Sequence, residues 1–257
     1  MEYPIYEKGK FKYIEEGEGD TVILLHGLFG SMGNYEALIK GLKSNYRLVV
    51  PLLPIFELPS RKVSMTTLME HVHEFILTQG YTTIHIVGNS LGGHIGLLLT
   101  LKAPELVRTL TLTGSSGLFE NALGNSFPRR KSYEFVKEVA QKTFFNPDIA
   151  SKALIDEIFE IVNTPTKGLN IVITAKSAMR HNLEHELHKI KLPTLLIWGK
   201  NDTITPAFVG EDFHQKIEQS ELHILDECGH APMMEKPAEF ITLLMAFLER
   251  YPILKTK

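Results

Sequence analysis

Three residues of this sequence have the chemistry and the placement for nucleophilic catalysis: Ser90, Asp202 and His230. A serine hydroxyl is a poor nucleophile at neutral pH. It needs a base within hydrogen-bond reach, and the base needs an acid to orient it. Ser90 stands in Gly88-Asn89-Ser90-Leu91-Gly92, a Gly-x-Ser-x-Gly pattern. The β-branched residues Ile84, Ile86 and Val87 precede it, and an apolar, helix-compatible run follows. That context predicts a sharp strand-to-helix turn, with Ser90 held in a strained conformation and its hydroxyl lifted clear. The helix N-terminus beneath it offers backbone N–H groups to a developing negative charge. The chain has 11 histidines, so position must select the base. His230 lies just past the last expected strand, in Glu227-Cys228-Gly229-His230-Ala231-Pro232, and Asp202 lies just past the preceding one, in Trp198-Gly199-Lys200-Asn201-Asp202. Asp226 is nearer to His230 in sequence, but it ends the strand leading to the histidine and is badly placed to back the ring.

Acyl chemistry also needs two N–H donors aimed at the oxyanion. Leu91 N–H, next to the nucleophile, is one. The other is expected from the loop His26-Gly27-Leu28-Phe29-Gly30, as Leu28 N–H or alternatively Phe29 N–H, with His26 fixing the loop. Removing one such donor is expected to cost roughly a hundred- to a thousandfold in rate.

The elements that must deliver these residues follow from periodicity and punctuation. Residues 3–7 and 10–15 suit a hairpin turning at Lys8-Gly9, and Thr21–Leu25 is a continuous apolar run, as a strand buried on both faces requires. Further strands are expected at 46–50, 84–87, 109–113, 193–199 and 221–225. Helices are expected at 34–42, at 65–78 with Gly80 closing it, after Ser90, near 206–218, and from Pro237 to Arg250. Residues 51–60 form a proline-rich loop. Between about 118 and 190 the alternation lapses into three helix-like stretches, near 132–145, 148–162 and 167–182. Strand–helix alternation predicts an α/β fold with a mostly parallel, eight-stranded sheet covered on both faces. Residues 1–117 and 191–257 would form the core, and 118–190 a helical cap over the carboxyl ends of the strands, where open α/β sheets place their sites.

A chain of 257 residues can bury a large core, and 44% hydrophobic with 22% charged residues is ordinary for a globular protein. The net charge of −3 gives no global case for nucleic acid or membrane surfaces as partners. One cysteine, Cys228, excludes an intrachain disulfide framework and suits a reducing compartment. The N-terminal segment is too charged for a signal peptide, and no apolar run approaches the roughly 20 residues that span a bilayer. A soluble, cytoplasmic protein acting on a small molecule is expected.

At His26-Gly27, Gly88-Asn89-Ser90-Leu91-Gly92-Gly93, Gly199-Lys200-Asn201-Asp202 and Cys228-Gly229-His230, the chain resembles the α/β-hydrolase superfamily over nearly its whole length. The order Ser, Asp, His along the chain is the one this superfamily uses. The resemblance implies a triad of Ser90, Asp202 and His230, and a small capped serine esterase that needs no cofactor and no metal. Haloalkane dehalogenases and related epoxide hydrolases carry an aspartate where this chain has Ser90. Carbon–carbon bond hydrolases, which cleave ring-fission (meta-cleavage) products, share Gly-Asn-Ser-x-Gly-Gly and Cys-Gly-His. They usually carry Trp after the histidine, where this chain has Ala231, and they need an arginine for the substrate carboxylate, for which Arg180 is the candidate. That activity is the alternative reading. Asn89 would face the pocket, as it does in those relatives, and Phe29, Asn89 and Ala231 are the candidate substrate contacts. Many relatives read Asp-x-x-Gly-x-Gly-x-Ser after the fourth strand. This chain has Pro51-Leu52-Leu53-Pro54-Ile55-Phe56 instead, which alters that pocket wall. A non-catalytic binding or receptor-like module on the same fold is the alternative of another class, since fold alone never fixes function.

Other features compete for a role. His181, His185 and His188 fall at i, i+4 and i+7, a spacing that would put three metal-capable nitrogens on one helical face. Pro128-Arg129-Arg130-Lys131 is a basic turn that could meet an anionic substrate group. Phe119, Phe127, Phe144, Phe145 and Met179 are candidates for an apolar acyl pocket or for the cap's own core, and Met233 and Met234 flank the histidine. His94 is expected to be packed rather than reactive.

Overall fold

The computed structural model describes residues 3–29, 32–119 and 130–254. An eight-stranded sheet runs in the order β1-β2-β4-β3-β5-β6-β7-β8. The strands are β1 (Tyr6–Lys8), β2 (Phe11–Glu16), β3 (Asp20–Leu25), β4 (Tyr46–Pro51), β5 (Ile84–Asn89), β6 (Val107–Thr113), β7 (Thr194–Gly199) and β8 (Ser220–Leu225). The β1–β2 and β2–β4 pairings are antiparallel and the rest are parallel. This is the expected α/β architecture, with strand ends shifted by up to three residues. Thus β1 and β2 turn at Gly9 (φ +61°) and Lys10. Every residue of β5 and β7 is buried, which is why those runs are mostly apolar or small, with His85 and Asn89 the buried polar exceptions in β5.

Helices cover both faces. On one lie α1 (Glu36–Leu42) and α9 (Pro237–Arg250), whose Leu38, Ile39, Leu42, Phe240, Leu244 and Phe247 pack on the sheet. On the other lie α2 (Met65–Gln79), α3 (Leu91–Lys102) and α7 (Ala207–Lys216). Ser64 caps α2 by accepting the Thr67 N–H at 3.1 Å, and Gly80 ends it in the left-handed conformation (φ +81°). Nearly all of α3 is buried, so the helix that begins after Ser90 is fixed on every side.

Between β6 and β7 the chain forms α4 (Tyr133–Lys142), α5 (Lys152–Asn163) and α6 (Pro165–Arg180). Ser132 and Ser151 cap the first two. The third helix packs into the main core through Ile171, Ala175 and Ala178. Its Asn170 donates to the carbonyls of Ile55 and Leu58, and its Ser177 hydroxyl accepts the Met65 N–H. That helix ends at Arg180. His181 turns off (φ −97°, ψ 47°), His185 lies in a turn, and His188 sits in a separate 3-10 turn, Leu187–Lys189. The three histidines therefore do not share a helical face, and among the described residues no group of three or more potential ligands could hold a metal ion.

The strand order reverses beside β3, which pairs with β4 on one side and β5 on the other. The loops leaving β3 and β5 diverge at such a switch point and leave a crevice. A short helix, α8 (Pro232–Glu235), follows the β8 exit loop on the same edge. No described helix is long and apolar enough to cross a membrane.

Candidate active site

Ser90 sits at the crevice in a backbone conformation of φ 53°, ψ −117°. With Glu227 it is one of only two non-glycine residues at positive φ among the described residues. Such geometry costs on the order of 1–3 kcal/mol and persists only where surroundings enforce it. Here Ser90 N–H donates to Thr113 O (3.1 Å), while Ser90 O accepts the N–H groups of His94 and Ser116 (both 3.2 Å). The two glycines of the motif are steric requirements. A Cβ on Gly88 would lie 2.6 Å from Gly92 O, and one on Gly92 only 1.9 Å from Leu25 O. The Ser90 side chain makes no capping bond to α3 and faces a cavity.

His230 is buried in the loop after β8, and its Nδ1 lies 2.8 Å from Asp202 Oδ2. Nδ1–H is the donor to that carboxylate, which leaves Nε2 as the acceptor on the cavity side. Asp202 is itself buried, with Oδ1 accepting the N–H groups of Ile204 (2.8 Å) and Thr205 (2.9 Å). Asp202 thus organises the turn leading into α7 and orients the imidazole at once. Asp226, the nearer acid in sequence, points away into an ion pair with Lys200 at 2.6 Å.

Leu28 lines the cavity with Ser90, and Leu91 follows the serine in the chain. A Cβ on Gly27 would lie 3.3 Å from Ser90 Cβ, so the β3 loop passes directly against the serine. Leu91 begins α3, where a backbone N–H has no partner within the helix. His26 is buried. Its Nδ1–H donates to Gly27 O (2.9 Å) and its Nε2 accepts Leu53 N–H (3.4 Å). Burial lowers its pKa, which keeps the ring neutral and able to accept. The loop that departs from many relatives, 51–56, is therefore tied to the β3 loop through His26.

The cavity measures about 190 Å³ and lies between these strand-end loops and the helices α4 and α5. Its wall is largely apolar, with Phe135, Val136, Val139, Leu154, Ile158 and Val162 from the two helices. Phe29, Asn89 and Ala231 all line it. Asn89, however, commits its amide N–H₂ to Thr113 O and His230 O, each at 3.1 Å, so it braces the histidine's backbone instead of offering a donor to substrate. Phe144 and Met234 line the cavity, whereas Met233 is buried in the core. Phe119 stacks edge-on against Phe208, and Phe145 and Met179 are exposed. Phe127, Pro128, Arg129 and Gly30 lie outside the described residues. Of the arginines, Arg130 lines the cavity, while Arg180 is exposed at the end of α6 and is not part of the lining. His94 is fully buried, its pKa depressed to about 3 by desolvation, with Ser116 Oγ 3.4 Å from its Nδ1.

Sequence reasoning offers Thr205 only as a helix cap, not as the hydroxyl that reaches Asp202, and gives Asn34 on the cavity wall no role. It also passed over Glu235, whose carboxylate accepts the Gly229 N–H beside His230. Neither threonine nor asparagine carried a motif. The spacing of Glu235 after His230 was visible but had no evident chemistry.

Residues 22–243 match the sequence pattern of the alpha/beta hydrolase family. The chain belongs to that family. It is 28% identical over 258 residues to the 2-hydroxy-6-oxo-6-(2'-aminophenyl)hexa-2,4-dienoic acid hydrolase of Metapseudomonas resinovorans, covering 93% of this chain and 87% of that one. It is 26% identical to a monoacylglycerol lipase of Bos taurus, covering 90% and 76%. Among solved structures, an alpha/beta hydrolase enzyme from lagoon-sediment metagenome is similar at 37% identity and a TM-score of 0.79, covering 96% of this chain and 98% of that one. The relatives thus include a dienoic acid hydrolase and a monoacylglycerol lipase, and this chain is a hydrolase of the alpha/beta hydrolase family.

Proposed function

We propose that this protein is a serine hydrolase that cleaves a carboxylic ester of a small or medium-sized, largely apolar substrate. The reading rests on one arrangement: strained Ser90 and His230, whose Nδ1 lies 2.8 Å from Asp202, line the same largely apolar cavity. His230 Nε2 takes the Ser90 proton as Oγ attacks the ester carbonyl, and the N–H groups of Leu28 and Leu91 hold the oxyanion. The imidazolium, steadied by Asp202, protonates the leaving alcohol. Water activated by His230 then attacks the acyl-enzyme and releases the acid. The segment 118–190 is the cap, of which α4 and α5 exclude bulk water and measure the acyl chain. This route calls on protein groups alone, and buried Cys228 suits a cytoplasmic setting.

The test is a series of 4-nitrophenyl esters of graded acyl length, with labelling by a fluorophosphonate. Hydrolysis and stoichiometric labelling, both lost in Ser90→Ala, are the expected result. A wild-type protein that binds apolar ligands but neither labels nor hydrolyses any ester is a binding module, and the catalytic reading fails. Arg130 on the cavity wall favours one second reading, cleavage of a carbon–carbon bond in a vinylogous diketone bearing a carboxylate. Faster turnover of such a ring-fission substrate than of every ester, lost in Arg130→Gln, would establish it.

A further inference from the structure

Glu235 is the last residue of α8, five positions after His230. Its carboxylate reaches two separate pieces of chain. Oε1 accepts the Gly229 N–H at 2.9 Å, next to the histidine, and Oε2 accepts the Phe145 N–H at 2.8 Å, in the exit from α4. The N–H groups of Ala231 and Asn146 also face it, one from each piece. Burial lifts its pKa, against the pull of these four donors. Two further bonds join the same partners. His230 N–H donates to Thr143 O at 2.9 Å, and the Thr203 hydroxyl, beside Asp202, donates to Lys142 O at 3.0 Å. The packing is close enough that a Cβ on Gly229 would meet Thr143 O at 2.7 Å and Phe145 N at 2.8 Å. The end of α4 is therefore docked on the loops that carry both Asp202 and His230. Other turns of the same helix line the cavity through Phe135, Val136 and Val139.

We propose that Glu235 is a positioning residue that sets the imidazole of His230 and the seat of α4 over the cavity as one unit. This rests on the ester-hydrolase reading for its kinetic consequence, but not for its physical one. A carboxylate is suited to the task because it accepts from both sides at once. An amide in its place turns one acceptor into a donor that meets the Phe145 or Gly229 N–H head-on. The loop and the helix then separate, and both the base and the acyl-binding wall move. In this fold a histidine loop and a cap helix could have been independent. Here a single side chain makes them one body.

The experiment compares wild type with Glu235→Gln and Glu235→Ala in two ways. Hydrogen–deuterium exchange of the native proteins reads the clamp itself. The amides of 142–146 and of 228–231 are expected to lose protection together, while β5 and α3 keep theirs. Kinetics on acetyl and octanoyl 4-nitrophenyl esters, normalised to sites titrated with fluorophosphonate, read the consequence. The expected result is a fall in kcat per titrated site of about ten- to a hundredfold for both esters. KM is expected to rise for the octanoyl ester only, because only the long acyl chain reaches α4. A role confined to stability would lower the number of titrated sites but leave kcat and KM per site unchanged, and that outcome overturns the proposal. Exchange that rises in one segment without the other overturns it as well. If the exchange result holds but wild type neither labels nor turns over any ester, the ester-hydrolase reading fails and the clamp stands.

Discussion

The Thr205 hydroxyl donates to the same oxygen of Asp202 that holds His230: Oγ1 lies 2.9 Å from Oδ2 and 3.4 Å from His230 Nδ1. With Ile204 and Thr205 N–H groups on Oδ1, the carboxylate has partners on both oxygens and no freedom to swing away. Asp202→Asn would present an amide to Nδ1, favouring the wrong tautomer, so kcat for ester hydrolysis is expected to fall by about ten-thousandfold. Thr205→Val removes one hydrogen bond and keeps the charge, and a loss of about tenfold is expected. Steady-state assays at pH 7–8 check both, and equal effects would mean that the carboxylate has no special part.

Gly92 and Gly80 should respond to the same change for different reasons and to very different degrees. A methyl on Gly92 collides with Leu25 O at 1.9 Å, a rigid strand carbonyl, so Gly92→Ala is expected to abolish accumulation of folded protein. Gly80 has open space around it but sits at φ +81°, so Gly80→Ala meets only backbone strain, about 1–2 kcal/mol. Soluble yield and thermal melting of the two variants give the comparison.

Cys228 is fully buried, and its thiol is pushed up to about 12, first by desolvation and then by the nearby Glu235 carboxylate. A thiol held in that form is a weak nucleophile. Native protein is expected to resist Ellman's reagent at pH 8, while protein unfolded in guanidinium releases one equivalent at once. Rapid native reaction would show that the loop carrying His230 opens readily.

His85 and His94 make stability depend on mildly acidic pH. Both are fully buried, and desolvation depresses them from the usual 6.5 to about 4 and about 3. Each stays neutral in the fold while the unfolded chain takes up a proton below pH 6.5. Stability is therefore fully present above 6.5 and falls as pH drops from 6.5 toward 4, with His85 contributing on the order of 3 kcal/mol. Melting temperatures between pH 7.5 and 4.5 should decline along that curve. His85→Asn, which can keep the bond to Thr109 Oγ1 now made by Nδ1 at 2.8 Å, should flatten it.

The parts of the site legible in sequence were those fixed by short-range sterics and strand ends. Ser90 announced itself because only glycine fits at 88 and 92, and Asp202 and His230 because each follows a buried strand. The fold was legible for the same reason, since β3, β5 and β7 are buried on both faces and largely apolar. What escaped was held by bonds between distant stretches. Asn89 lines the cavity as read, yet its amide N–H₂ is taken by backbone carbonyls, one of them His230 O, 141 residues away. Glu235 works across 90 residues to Phe145. The i, i+4, i+7 spacing of His181, His185 and His188 brings no shared face, because α6 ends at Arg180 and no proline or glycine marks the exit in the sequence.

The stitches from Asn170 to Ile55 and Leu58, and from Ser177 to Met65, divide the inserted segment into parts of unequal independence. α6 is anchored like a piece of the scaffold, whereas α4 and α5 supply the cavity wall. For anyone grafting a relative's specificity onto this chain, the exchangeable cassette is thus about 130–164, not 118–190. A donor cassette must also arrive with an exit from α4 that Glu235 can grip.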